Sequence, residues 1–357
     1  MNLRIPGPTP LPPDVLAAVG KQMINHRGPE FEAMFKDITG WLKVFFETSN
    51  DLFVLTSSGT GGMEAAVVNT LSPGDRVLCV PIGVFGERFA AIAEAYGAAV
   101  TRMPYPMGKA AVPAEVAAKI EAEGPFKAVI FTQNETSTGV TNDVEGLCRA
   151  IREAQTPAPL IIVDGISGLG AIRLQTDAWG VDVLVAGSQK AWMAPPGLAF
   201  ISFSARAWEA YATAKMPRYY FDLGLARRYA ERNQTPATPN VSALYGLHVS
   251  LQQMVAEGVE AVAARHQRIG DYCRAGCLEL GLNLFAQPGY YSNTVTAATL
   301  QPGLSAKKVL EDLRTRYDII CGSTKAPGVE MLRVGHMGYV SEADLDEVFA
   351  ALAKLLA

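Results

Sequence analysis

Residues 183–203 read VLVAGSQKAWMAPPGLAFISF. Two apolar runs flank the tetrapeptide Gly-Ser-Gln-Lys and a Pro-Pro-Gly turn. Each run has the length of a strand, and the prolines confine the segment between them to a loop. Lys190 therefore stands just beyond the end of a buried strand. A lysine met at random lies on the surface, so this placement needs a reason from the rest of the chain.

Working outward, similar Val- and Ile-rich runs occur at 52–55, 77–80, 98–103, 128–131 and 160–163, and with 181–186 and 198–203 they make seven. Helical spacing separates several of them, at 63–71, 87–96, 113–123 and 144–154. Pro113 suits a first helical position, where its missing N–H costs nothing. Strand–helix alternation of this kind predicts a mostly parallel sheet covered on both faces. The pattern changes near residue 241. One or two long helices across 241–280 precede short strands at 292–298, 317–321 and 331–334, interleaved with helices at 305–316 and 341–356. That is a smaller α+β domain. The expected division is an N-terminal arm with the start of the first helix (1–20), a large domain (21–245) and a small C-terminal domain (246–357). The stretch IPGPTPLPPD (5–14) has too many prolines for sheet or helix. It is expected to be an extended arm lying on another surface, with a helix from Asp14.

With 357 residues, 49% of them apolar, and a net charge of −4, the chain can bury a large core, and its length suggests two domains. The weak acidity gives no nucleic-acid footprint, and no apolar stretch reaches the ~18 residues of a membrane span. The start lacks a basic n-region and an apolar h-region, so no signal peptide is expected and the cytoplasm is the default compartment. Five scattered cysteines do not suggest a disulfide framework. Cys273 and Cys277 would share a helix face, but no His or Cys partners stand at ligand spacing, so no metal is expected.

In an open parallel sheet, ligands bind beyond the carboxyl ends of the strands. After 52–55 comes TSSGTGGMEAAVVNTL, a small-residue loop opening a helix. Such a loop lets backbone N–H groups approach an anion. It lacks the Gly-Lys-Ser/Thr of a P-loop and the glycine spacing of a dinucleotide site, and an ordinary helix cap is the alternative. After 77–80 comes Phe85 between two glycines, either as core packing or as cover for a flat ring. After 128–131 comes the polar loop TQNETSTG. Asp164 ends the 160–163 run, where a carboxylate is costly unless a cation or donors meet it; helix capping is the alternative. Lys190 follows 181–186. One ligand unites these pieces. Pyridoxal phosphate needs a lysine for its aldehyde, an acid for its ring nitrogen, an anion cradle for its phosphate and an apolar face for its ring.

The segments SSGTGGMEAAV (57–67), NETSTGV (134–140), VDGISGLG (163–170) and GSQKAWMAPPGLAFISFS (187–204) together resemble the class V aminotransferases of the fold type I pyridoxal-phosphate family, nearest to the alanine–glyoxylate and serine–glyoxylate (serine–pyruvate) enzymes. The likeness runs from PGPTPLPPDVLAAV through NHRGPEF to MLRVGHMG. It implies an α/β fold with a mostly parallel seven-stranded sheet plus a small α+β domain. It implies that Lys190 binds the pyridoxal 5′-phosphate covalently and shuttles protons, and that Asp164 pairs with the ring nitrogen. Phe85 would stack on the ring, where close relatives often have Trp. Ser58, Gly59 and Thr60 would receive the phosphate, with Thr136 and Gln189 contacting the ring oxygen or the phosphate. Arg333 would clamp the substrate carboxylate. Thr235 and Thr238, in RNQTPATPNVSALYGL, match an element that reaches the phosphate of a neighbouring subunit, which implies a homodimer; the N-terminal arm would also cross to the partner. Asn25, with His26, Tyr291 and Ser292, is a candidate for the substrate pocket, with loop structure or packing as the alternative. The implied reaction is ping-pong transamination between alanine or serine and glyoxylate or pyruvate. Alternatives are another donor (a ureido or phosphonate amine), a lyase or cysteine desulfurase using Cys321 on a mobile loop, and a cofactor-binding protein without turnover.

Overall fold

The computed structural model describes residues 1–356. The chain opens with β1 (Asn2–Arg4), α1 (Pro13–Val19) and α2 (Pro29–Phe46). It continues through β2 (Asp51–Thr56), α3 (Gly59–Thr70), β3 (Arg76–Val80), α4 (Val84–Ala95), β4 (Ala99–Arg102), α5 (Pro113–Glu123) and β5 (Ala128–Thr132). A hairpin of β6 (Asn134–Glu135) and β7 (Val140–Thr141) leads to α6 (Val144–Glu153), β8 (Leu160–Asp164), β9 (Val183–Gly187) and β10 (Leu198–Phe203). Then come α7 (Ala205–Thr213), α8 (Leu223–Ala230), α9 (Val241–Glu257), α10 (Val259–Glu279), β11 (Asn283–Leu284) and β12 (Val295–Thr299). The chain closes with α11 (Ala306–Tyr317), β13 (Ile319–Ser323), β14 (Met331–Gly335) and α12 (Glu342–Leu356).

The seven apolar runs form one sheet of order β2-β10-β9-β8-β5-β3-β4. Only β10 runs against the others. Side chains alternate between its faces. Ile161 and Val163 of β8 join the layer that holds Phe46 and Trp192, while Leu160 and Ile162 join the layer of Met63 and Phe89. Burying each such side chain contributes about 1.5–3 kcal/mol, which explains why these strands read as near-continuous apolar runs. A five-stranded sheet of order β1-β13-β14-β12-β11 organises the C-terminal part around its own apolar cluster.

Ahead of the proline-rich arm stands a strand that the sequence reading does not predict. Asn2, Leu3 and Arg4 pair in parallel with Ile319, Ile320 and Cys321 of the same chain. These three residues precede the first proline, so their N–H groups are free to pair, and β13 would otherwise present an open edge. Residues 2–4 thus lie on their own chain.

Candidate active site

The carboxyl ends of β2, β3, β5, β8 and β9 open toward one edge of the large sheet, and the groups gathered there come from the turns that follow. The turn after β9 is pinned at both ends by Ser188. Its N–H donates to Leu198 O at 3.0 Å, and its hydroxyl donates to Pro195 O at 2.6 Å. Trp192 is wholly buried, edge-on to Phe45 and Phe200. Lys190, in this turn, is buried, with the N-terminal arm packed over it. The Lys190 amine donates to the carbonyl of Pro6. Gly7, at φ +126°, lies against the lysine stem, where an added Cβ would come within 2.8 Å of Nζ. Thr9 completes the arm's hold by donating from Oγ1 to Lys190 O at 3.0 Å. Burial lowers the lysine to about 8, Arg333 pushes the same way and Asp164 opposes.

Asp164 ends β8, the strand beside β9. It is buried and accepts the Ile166 N–H at 2.8 Å. Burial, reinforced by the charge of Glu135, raises its carboxyl to about 7 against the pull of that N–H, Lys190 and Arg88. A buried acid and a buried amine thus sit on neighbouring strand ends, each titrating near neutrality.

Ser58 caps α3 and makes no side-chain cap bond. Gly59 packs so closely that an added Cβ would lie 2.6 Å from Ile166 Cδ1, and one at Gly62 would lie 2.7 Å from Val185 Cγ1. These glycines bring the start of α3 down onto β9, so its first-turn N–H groups (Gly59 and Thr60 among them) stand near the Asp164 turn as an anion cradle. Gln189 adds a buried Oε1 with no hydrogen-bond partner. A cradle that glycines hold open fits a phosphorylated ligand, and the orphaned Oε1 is an acceptor left for a donor.

Phe85 lies in the first turn of α4, with the Arg88 guanidinium 4.8 Å from its ring centroid. Its backbone N–H donates to Glu135 at 3.0 Å. Thr136 is buried, and its carbonyl accepts from Arg333 Nη1 at 2.8 Å. Arg333 also donates from Nη2 to Ser323 O at 2.7 Å, and its buried Nε has no partner. Burial lowers this guanidinium, with Glu135 opposing. Sequence reading passes over Arg88 and Glu135. Only the folded chain brings residue 135 to the start of α4.

Three expected residues are not brought to this group within one chain. Asn25 is exposed and accepts the Arg27 N–H at 3.0 Å, a turn-forming role. Arg27 in turn donates to Thr235 O at 2.6 Å. Thr235 is buried and donates to Ala237 O at 2.8 Å, whereas Thr238 is exposed, beside Thr56 and Tyr220. Thr235 and Thr238 thus stand beside the end of β2, in a recess with Thr56 and Tyr220. Tyr291 and Ser292 are fixed structurally: Ser292 N donates to Gly139 O at 2.8 Å, and the Arg274 guanidinium lies over the Tyr291 ring. Cys321 sits in β13, buried, with its thiol pushed up to about 12 by burial. It is not a loop nucleophile.

Comparison with known proteins adds the family. A family model described as aminotransferase class-V matches residues 2–338. A Synechococcus protein named soluble hydrogenase, small subunit, is 42% identical over 99% of this chain and 92% of its own length. The L-aspartate–glyoxylate aminotransferase of Paracoccus denitrificans is 40% identical over 95% of this chain and 87% of its own. Among solved structures, an alanine–glyoxylate aminotransferase from Nostoc sp. superposes with a TM-score of 0.94 at 30% identity, covering 100% of this chain and 95% of that one. The seven-stranded sheet, the buried lysine and acid at its strand ends and these likenesses agree: the chain belongs to the class-V aminotransferase family.

Proposed function

We propose that this protein uses pyridoxal 5′-phosphate to transfer the amino group of a small amino acid, alanine or serine, to a small 2-oxo acid, glyoxylate or pyruvate. The observation that supports this most is the pairing of buried Lys190 with buried Asp164 on adjacent strand ends. When bound, the cofactor supplies an aldehyde that takes the amino group and a ring that draws off electrons released at the substrate α-carbon. The chain's own residues do the rest. Lys190, lowered to about 8, is partly neutral at mildly alkaline pH and can take a proton from the α-carbon. Asp164 holds a proton at the ring nitrogen; an acid does this where an amide could not, because an opposite charge is needed in a low-dielectric site. The N–H groups of Gly59 and Thr60, with Ser58, receive the phosphate, and Gln189 and Thr136 border the ring. Phe85 covers the ring and keeps water off. Arg333 turns its fork to the substrate carboxylate.

Thr235 and Thr238 fit a site shared between two copies. They line a recess with the exposed Tyr220, and we assign that face to a homodimer in which each copy closes the other's phosphate site. The hydrogenase name belongs to a relative.

The reading is tested by mixing the cofactor-loaded protein with single amino acids and following product oxo acid and the cofactor's absorption. Alanine or serine is expected to react alone, before any acceptor is added. Lys190→Ala is expected to retain the cofactor, to lose its fixation by borohydride and to drop turnover by roughly 10⁴-fold or more. Full activity in that variant would sink the proposal.

A further inference from the structure

Glu135 is wholly buried and has no part in the chemistry above. Its carboxylate accepts four hydrogen bonds. Oε2 takes the backbone N–H groups of Phe85 at 3.0 Å and Gly86 at 3.2 Å. Oε1 takes the Ser137 N–H at 3.0 Å and its hydroxyl at 2.6 Å. Phe85 and Gly86 lie in the first turn of α4, whose N–H groups have no partner within the helix. A cap side chain normally meets such groups, but the cap residue here is Gly83. A Cβ at Gly83 would lie 2.6 Å from both Glu135 Cγ and Ser137 Oγ. The glycine therefore leaves the space through which a distant carboxylate enters and caps the helix. The helix start favours its negative charge. Those donors oppose the rise that burial imposes on the carboxyl.

Fixing the Phe85 amide fixes where its ring leaves the helix. The next residue, Thr136, offers its carbonyl to Arg333. One dipeptide thus holds an aromatic ring on one side and a guanidinium on the other. Resting on the pyridoxal-phosphate reading above, we infer that Glu135 is a positioning residue: it anchors the first turn of α4 so that the Phe85 ring keeps the pose that covers a bound cofactor.

The test is a double-mutant cycle on cofactor affinity. Glu135→Gln keeps the shape but turns an N–H group toward donors. Its dissociation constant for pyridoxal phosphate, from equilibrium dialysis, is expected to rise about tenfold in the natural background and less than about threefold with Phe85→Ala, because the loss passes through the ring. Equal losses in both backgrounds, or no loss, overturn the inference. Amide hydrogen exchange on the cofactor-free protein gives a second readout. Phe85 and Gly86 should exchange faster in Glu135→Gln while β8 is unchanged; unaltered exchange at 85 and 86 overturns the anchor. Should Glu135→Gln fail to fold, Ser137→Ala removes one donor, keeps the charge and should show a smaller loss, again only when Phe85 is present. If the unmodified protein binds no pyridoxal phosphate, the reading beneath falls, and the exchange comparison still decides whether Glu135 anchors α4.

Discussion

Two buried aspartates sit at opposite ends of the β8–β9 ladder and are treated in opposite ways. Asp182, just before β9, is met on every side. Its Oδ2 accepts from Arg152 at 2.7 Å, Ile161 N at 2.9 Å and Arg206 at 3.2 Å, and its Oδ1 accepts from Ser204 Oγ at 3.0 Å. Asp164, at the far end, receives one backbone N–H. Lys190 and Arg88 act on it through their charges, but neither donates to it, and the lysine amine turns to the Pro6 carbonyl. Both carboxyls are raised by burial, and only Asp182 has direct guanidinium partners to pull it back. A satisfied buried charge is architecture, and one left short of partners in a site of small residues points to a missing ligand.

Substitutions can break this contrast. The largest effect is expected from Asp164→Asn. Turnover should fall roughly 10³-fold or more, yet the cofactor-free protein should gain about 1–3 kcal/mol at pH 8, read by denaturant unfolding. The sign follows from the raised carboxyl. Between its ordinary 3.8 and the folded value of about 7, the folded chain holds a proton that the unfolded chain releases. Stability therefore falls as pH rises through that window, and the asparagine variant escapes the fall. Below about pH 4 the two proteins should unfold alike. A variant that is weaker at pH 8 would place Asp164 with Asp182.

Arg333→Lys should come next, raising KM for the amino acid about 10- to 100-fold while leaving cofactor affinity within about twofold, since an ammonium cannot reproduce the fork. An unchanged KM would remove Arg333 from the carboxylate site. Asp182→Asn should have the smallest effect on rate. We expect kcat/KM within about twofold of the natural protein and a stability loss of about 1–3 kcal/mol at pH 7, less than for a fully buried pair because Arg206 is partly exposed to solvent. A large loss of activity without loss of stability would erase the distinction between the two ends.

The seven strands were legible because both faces of the sheet are covered, which writes Val and Ile into long runs. Lys190 and Asp164 were legible for the same reason: a charge that ends such a run stands out. Glu135 was not, because the helix N–H groups it caps, those of Phe85 and Gly86, lie far back in the chain, in a helix whose own cap is a glycine. The strand β1 is three residues long and becomes a strand only when β13 offers an edge. Helix α2 was missed although its apolar residues (Phe31, Met34, Phe35, Ile38, Leu42 and Phe45) are buried at helical spacing. Asn25 was legible only as a candidate, because a residue that shapes a turn, as it does here for Arg27, and one that meets a ligand look alike in sequence.

The pairing of Asn2 with Ile319 also sets an order of assembly. On the ribosome the first residues emerge long before their sheet partner exists. The large sheet, with Lys190 already at its edge, can close while the amino terminus is still loose. The cover over the lysine is then among the last parts to settle, and until it does the amine stands open to an aldehyde arriving from solution.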